Sequence, residues 1–226
     1  MRYSCFSLIT LVVTTFCAMS AHAQAPAEPQ PAADYDDLAL WMAVSLQPDL
    51  IPDKLTASFD FEYRRRNNLR ETDLYNGIVI VDYLINKHLT VGLGYEMFWN
   101  NNPDGYETEY RYYPELIYAV PFQRFSLSLR MRVMNTFTDW NHPSWEHRNR
   151  LKIKYSIKSL PISPFASVEP YNQLGRPMYR LNKVRYSAGF TFSSGHHSTD
   201  LYYMLENYHT RNFARHVINI NYTFSF

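Results

Sequence analysis

The chain ends N-I-N-Y-T-F-S-F, Asn219 to Phe226. One set of alternate positions reads Ile218, Ile220, Tyr222, Phe224 and Phe226, and the other reads Asn219, Asn221, Thr223 and Ser225. Successive side chains of a β-strand point to opposite faces, so this stretch is a strand with one apolar and one polar face. It finishes on an aromatic. A water-soluble protein rarely leaves an apolar strand at its extreme end, where the unpaired edge invites aggregation.

The same period of two runs back through the sequence. Leu55, Ala57, Phe59, Phe61 and Tyr63 alternate with Thr56, Ser58, Asp60, Glu62 and Arg64. Leu89 to Trp99 sets Leu89, Val91, Leu93, Tyr95, Met97 and Trp99 against Thr90, Gly92, Gly94 and Glu96, with Phe98 out of phase. Phe125, Leu127, Leu129, Met131 and Val133 oppose Arg124, Ser126, Ser128, Arg130 and Arg132. Leu151, Ile153, Tyr155 and Ile157 oppose Arg148, Arg150, Lys152 and Lys154, and Val184, Tyr186, Ala188, Phe190 and Phe192 oppose Lys183, Arg185, Ser187 and Thr191. Such runs exceed the usual globular strand. They match the nine to eleven or so residues that cross a bilayer at a tilt. Tyr63, Trp99, Tyr106, Trp145 and Phe192 fall toward run ends, where interfacial girdles belong. In hydrocarbon every backbone group must be paired, so strands of this kind must close into a barrel.

A soluble barrel shows the same alternation turned inside out. Three features favour the membrane version. The first residues read as an export signal. Arg2 precedes an apolar run from Cys5 to Ala18, too short to span a bilayer, and Ala21-His22-Ala23 supplies a small-x-small cleavage site. The polar face is densely charged in mid-strand. The last strand runs to a terminal Phe, and Tyr222, Phe224 and Phe226 resemble the C-terminal signature that bacterial outer-membrane barrels present to the barrel-assembly machinery. The expected organisation is a signal peptide over 1–23, a flexible Ala/Pro-rich leader over 24–37, and a transmembrane antiparallel up-and-down β-barrel over 38–226. The fold class is all-β.

Composition agrees. Aromatics make up 16% of the chain and 19 residues are Tyr, a heavy load for a soluble domain. Both cysteines, Cys5 and Cys17, lie in the segment expected to be removed, so no disulfide framework is expected. Lys+Arg is 22 and Asp+Glu is 21 over the whole chain, which leaves no basic excess for nucleic acid.

Turn signals divide the barrel region into strands near 38–46, 54–64, 72–85, 88–99, 106–120, 124–138, 146–158, 162–171, 181–193, 198–207 and 213–226. Short turns would face the periplasm and long loops the outside, the long ones near 65–70, 100–105, 139–144, 172–179 and 208–212. Eleven is odd, and single-chain bacterial barrels are usually even. Ten to twelve strands are therefore expected. An odd count places Asp36 and Asp37 at the rim opposite Phe226.

With apolar positions outward, the interior set follows. Early strands supply Asp60, Glu62, Glu96, Glu107, Glu109 and Glu115; middle strands supply Arg130, Arg132, Arg148, Arg150, Lys152 and Lys154; later strands add Glu169, Lys183, Arg185, Asp200 and Glu206. Acids thus gather on one arc and bases on another. A salt-bridge network plugging a narrow barrel is the default, since charges in low dielectric need partners. The alternative is a transverse field across a watery constriction that selects solutes.

Signs of catalysis are weak. His196 and Ser198 stand two apart on one strand face with Asp200 beyond, as in barrel lipases, but a polar hairpin turn explains them as well. His142, His147 and His209, with Asp139 and Glu206, lie on or beside loops without a metal-ligand spacing. No Gly-rich phosphate loop or nucleophile elbow occurs. No catalytic, cofactor or metal residue is assigned.

Six stretches carry a family resemblance: DLALWMAVSL (Asp37–Leu46), FDFEYRRRNNL (Phe59–Leu69), LINKHLTVGLGY (Leu84–Tyr95), WEHRNRL (Trp145–Leu151), PFASVEPY (Pro164–Tyr171) and YRLNKVRYSAGF (Tyr179–Phe190). Together they resemble domain-of-unknown-function family 2490, small exported proteins regarded as outer-membrane β-barrels. The resemblance implies the barrel and a place in the outer membrane of a Gram-negative bacterium, and it carries over no catalytic residue. It draws attention to Glu62, Arg148, Arg150, Glu169 and Arg185. The expected function is a structural or accessory barrel with a salt-bridged lumen. Its partners would be outer-membrane lipid, the assembly machinery and an envelope protein. The alternatives are a narrow passive channel for small polar solutes and, behind it, a barrel hydrolase acting on lipid or protein.

Overall fold

The computed structural model describes residues 36–138, 143–175, 179–210 and 213–226. The segment expected to be a signal peptide, with Ala21 and Ala23, and the expected leader up to residue 35 lie outside the described residues. The elements in order are β1 (Asp37–Gln47), β2 (Asp49–Ile51), β3 (Leu55–Arg66), β4 (Glu71–Asn86), β5 (Leu89–Asn102), β6 (Gly105–Phe122), β7 (Phe125–Phe137), β8 (Ser144–Tyr155), β9 (Ile162–Leu174), β10 (Tyr179–Ser194), β11 (His197–Tyr208) and β12 (Phe213–Ser225). From β3 to β12 each strand pairs antiparallel with the next, and β1 closes the ring by pairing with both β3 and β12. The short β2 extends β1 beyond Pro48, so the barrel wall has eleven strands.

The odd count has a topological price. In an up-and-down ring of eleven, the first and last strands run the same way, and β1 pairs parallel with β12 from Asp37↔Arg215 to Gln47↔Ser225. Every other pair is antiparallel. Parallel ladders are slightly less stable per residue, and both ends of this seam carry extra bonds. Arg215 Nε donates to Asp37 Oδ2 at 3.0 Å. At the other end Pro48 lacks an N–H and interrupts the strand; the Phe226 N–H donates to the Gln47 carbonyl, while the Asp49 N–H donates to the Phe226 carbonyl.

The outward face is apolar and the inward face is polar. Leu93 is 68% exposed, and Phe59, Phe61, Val79, Val81, Phe190, Leu201, Ile218 and Ile220 also face out. Glu206 is fully buried, and Glu96, Glu115, Arg132, Glu169 and Arg185 are each under 9% exposed. A soluble fold buries the first set and hydrates the second. Aromatic contacts ring both ends of the wall. Tyr63–Tyr75 (5.2 Å), Tyr75–Tyr106 (6.0 Å), Tyr110–Phe137 (5.7 Å) and Tyr112–Trp145 (6.2 Å) lie toward one rim. Phe125–Tyr155 (5.0 Å) and Phe224–Phe226 (5.3 Å) lie toward the other. Tyr222, Phe224 and Phe226 share the outward phase of Ile218 and Ile220, with Phe226 59% exposed.

Two expected long loops are tight turns. The ladder of β5 and β6 continues to Asn102↔Gly105, which leaves only Pro103 and Asp104 at the bend. The polar run NNNPDG looked like loop because nothing there needs burying, yet its backbone groups still pair. Between β3 and β4, residues 67–70 turn with Asn67, Asn68 and Leu69 all at positive φ. That turn is fastened to the start of β1: the Asn68 N–H donates to Asp37 Oδ1 (3.0 Å) and the Leu69 N–H to the Leu38 carbonyl (3.2 Å).

Candidate functional site: the barrel interior

Strand alternation carries a charged or polar side chain into the barrel every second residue, and the result surrounds a cavity of about 510 Å³. Fourteen of the seventeen interior charges expected from the sequence line it: Asp60, Glu62, Glu96, Glu109, Glu115, Arg130, Arg132, Arg148, Arg150, Lys152, Glu169, Lys183, Arg185 and Asp200. Glu206 stands behind the lining, wholly buried. Lys154 lies outside the lining, and Glu107 is exposed at the rim, bonded to Asn102. With Arg64, Asp82, Arg111 and Glu146, the wall carries nine acids and nine bases.

Among the described residues thirteen of these eighteen charges are ion-paired, most of them between strands. Arg111 reaches Glu96 (3.0 Å) and Arg132 reaches Glu115 (2.5 Å). Glu206 collects Arg185 (2.6 Å), Lys183 (3.1 Å) and, at 3.9 Å, Arg215. Glu169 receives a bidentate grip from Arg148, at 2.8 and 3.0 Å, and a third bond from Arg130 at 3.1 Å. Tyr171 joins the last two networks: its hydroxyl lies 3.4 Å from Glu169 and also accepts from Arg185.

Aromatic rings stand between the cations. The Arg64 guanidinium lies 3.8 Å from the Trp41 ring centre, and Arg185 lies 4.9 Å from the same ring. Arg185 is also 4.6 Å, and Arg148 4.7 Å, from the Tyr171 ring. Arg64, Trp41, Arg185, Tyr171 and Arg148 thus form one alternating series over β3, β1, β10, β9 and β8. Each of its cations has its own carboxylate: Glu62, Glu206 and Glu169. Cation–π contacts contribute about 0.5–2 kcal/mol each. Sequence reading missed these interior rings and also Phe98, Tyr113, Phe165 and Tyr202, all of which line the cavity. Their phase was the available signal. Trp41 alternates with Ala39 and Ala43, Phe98 with Glu96 and Asn100, and Phe165 with Ser167 and Glu169, all polar-side positions.

Small residues make the room. A Cβ on Gly94 would fall within the Tyr113 ring, and one on Gly92 would collide with Asp82 and Glu115. Side chains from β4 and β6 therefore meet over a bare stretch of β5.

The family described as "Protein of unknown function (DUF2490)" matches residues 38–217. The chain belongs to the DUF2490 family. No curated protein matches. The NanC porin, solved in a rhombohedral crystal form, is similar at 15% identity with a TM-score of 0.49, over 76% of this chain and 85% of that one.

Among the described residues of this DUF2490 barrel, His196 and Ser198 are bonded to different partners and not to each other. The His196 ring bonds the Ser225 carbonyl (2.7 Å), whereas the Ser198 hydroxyl faces that of Ser193 at 3.4 Å. His147 contacts Tyr179 (3.3 Å), and Glu206 is committed to the interior network. Asp139 and His142 lie outside the described residues. Among the described residues no three His, Cys, Asp or Glu side chains gather as a metal cage.

Proposed function

We propose that the protein is a structural or accessory barrel of a Gram-negative outer membrane, held shut by an ion-paired interior. One observation supports this most: the cation–aromatic series through Trp41 and Tyr171, whose three arginines are each neutralised by a carboxylate. A passage for solutes needs polar groups left free to exchange partners with the solute, and these groups are bonded to one another. The inverted outer surface, the two aromatic rims and the outward Phe226 support the outer membrane as its place. Lipid and the assembly machinery are then its immediate partners, and an envelope protein at the turns is the expected client. No catalytic role is proposed.

A second reading, a narrow passive channel, is favoured by the cavity itself. Its lining extends from Asn100 and Glu109 toward one rim to Gln47 near the other. A lining of that extent around about 510 Å³ leaves room for water and small ions.

Planar-bilayer recording of the refolded barrel separates the two. A protein that inserts and stays silent supports the plug. Discrete conductance steps whose ion selectivity shifts on replacing Arg148 and Arg150 with Ala support the channel.

A further inference from the structure

Among the described residues one cation of the cavity wall, Arg150, makes no hydrogen bond or ion pair. By the β8–β9 register, Arg148↔Tyr171 and Leu151↔Val168, Arg150 lies across from Glu169. A carboxylate offers about four lone-pair positions. Those of Glu169 face Arg148 twice, Arg130 once and the Tyr171 hydroxyl. Nothing is left for Arg150, which has no hydrogen bond or ion pair among the described residues, and its Nε is buried and unbonded. On the other side the ladder pairs Arg150 directly with Arg130, whose Nε is likewise buried and unbonded. Lys152 follows on the same face, with Asp200 3.7 Å away. Four cations, Arg130, Arg148, Arg150 and Lys152, therefore have only two carboxylates within ion-pair distance, Glu169 and Asp200.

Like charges placed directly opposite on a ladder repel, and an unpaired guanidinium in low dielectric is costly. Both are relieved by an anion. The guanidinium is a planar fork matched to carboxylate and phosphate oxygens. We propose that Arg150 and Arg130 form an oxyanion-binding site in the cavity wall, taking a small solute that bears a carboxylate or a phosphate. The guanidinium Nη groups left unbonded, both of Arg150 and one of Arg130, are its donors, and Lys152 completes its charge. The site requires only that water reach the cavity, so a barrel that never conducts can still bind.

The test is calorimetric titration of the refolded full-length barrel with sodium phosphate and with sodium acetate, chloride holding ionic strength constant. A heat-modifiable gel shift confirms the folded barrel independently of binding, and unfolding temperature is read alongside. Saturable binding of at least one anion is expected, with a raised unfolding temperature; which of the two binds separates phosphate from carboxylate solutes. Arg150→Met should weaken binding at least 10-fold, leaving the unfolding temperature in chloride equal or higher. Arg150→Lys, which keeps the charge and loses the fork, should bind at intermediate strength. Lys154→Met, outside the cavity lining, should bind as the parent does. A folded parent that binds neither anion overturns the proposal. So does an Arg150→Met barrel that binds equally well, or one that unfolds earlier in chloride, since Arg150 would then have had a partner all along.

Discussion

The interior of this barrel has two unlike sides. Around the seam, Ala39 and Trp41 of β1, Met204 of β11 and Val217 of β12 form a buried apolar cluster, with Tyr202 against it. Across β3 to β8 the wall is instead charged and faces the cavity. The packed side is also the side with the parallel pair. Parallel pairing is the weaker ladder, and the sector that contains it has a small core behind it. The opposite wall, antiparallel throughout, holds a second small cluster, Tyr113 of β6 and Met134 of β7 with Tyr171 of β9, set among charges that line the cavity. A barrel can thus be closed at its weakest joint by the packing used in a soluble core, while most of its charged groups stand around the rest of its circumference.

Trp41→Ala attacks the packed side hardest. It empties the core and removes the ring shared by Arg64 and Arg185, and should destabilise the refolded barrel by ~3–5 kcal/mol in urea unfolding. Glu206→Gln keeps the shape but leaves Arg185 and Lys183 uncompensated in a fully buried position. It should cost roughly 3 kcal/mol, with loss of the salt dependence of stability as the accompanying sign. On the cavity side the expected effects are smaller. Gly94→Val displaces the Tyr113 ring and should cost about 1–3 kcal/mol. An equal loss for Gly94→Val and Trp41→Ala would break the contrast between the two sides. Smallest is a gain at the rim: Leu69→Gly relieves a positive φ of 65° and should stabilise by under ~1 kcal/mol, read as a shift in urea midpoint with an unchanged slope.

The wall was legible in the sequence because period two is a local property. Ile218 to Phe226 reads as a two-sided strand whatever it packs against, and the charges from Asp60 to Arg185 fall inward by counting. Turn signals marked eleven segments within an expected ten to twelve strands, but the parallel pairing of β1 with β12 left no sign, since pairing between residues about 180 apart leaves no local pattern. The interior aromatics were hidden for another reason. Trp41, Phe98 and Tyr113 occupy the polar phase, where hydropathy scores them as interruptions; only facing cations make them fit. The idle Arg150 was equally invisible, because whether Glu169 has an acceptor position left depends on Arg130, Arg148 and Tyr171 arriving from three strands. The turn at 67–70 looked long and loose for want of the bonds that tie it to Asp37 and Leu38.

The parallel seam also makes the polypeptide a two-ended probe. In an even-stranded barrel both chain ends emerge from one rim. Here Asp37 stands at the rim of the 67–70 turn, and Phe226 at the rim of Pro48. In the outer membrane proposed for it, a peptide tag ahead of Asp36 and one behind Phe226 would sit on opposite sides, so protease added to intact cells should remove one and spare the other.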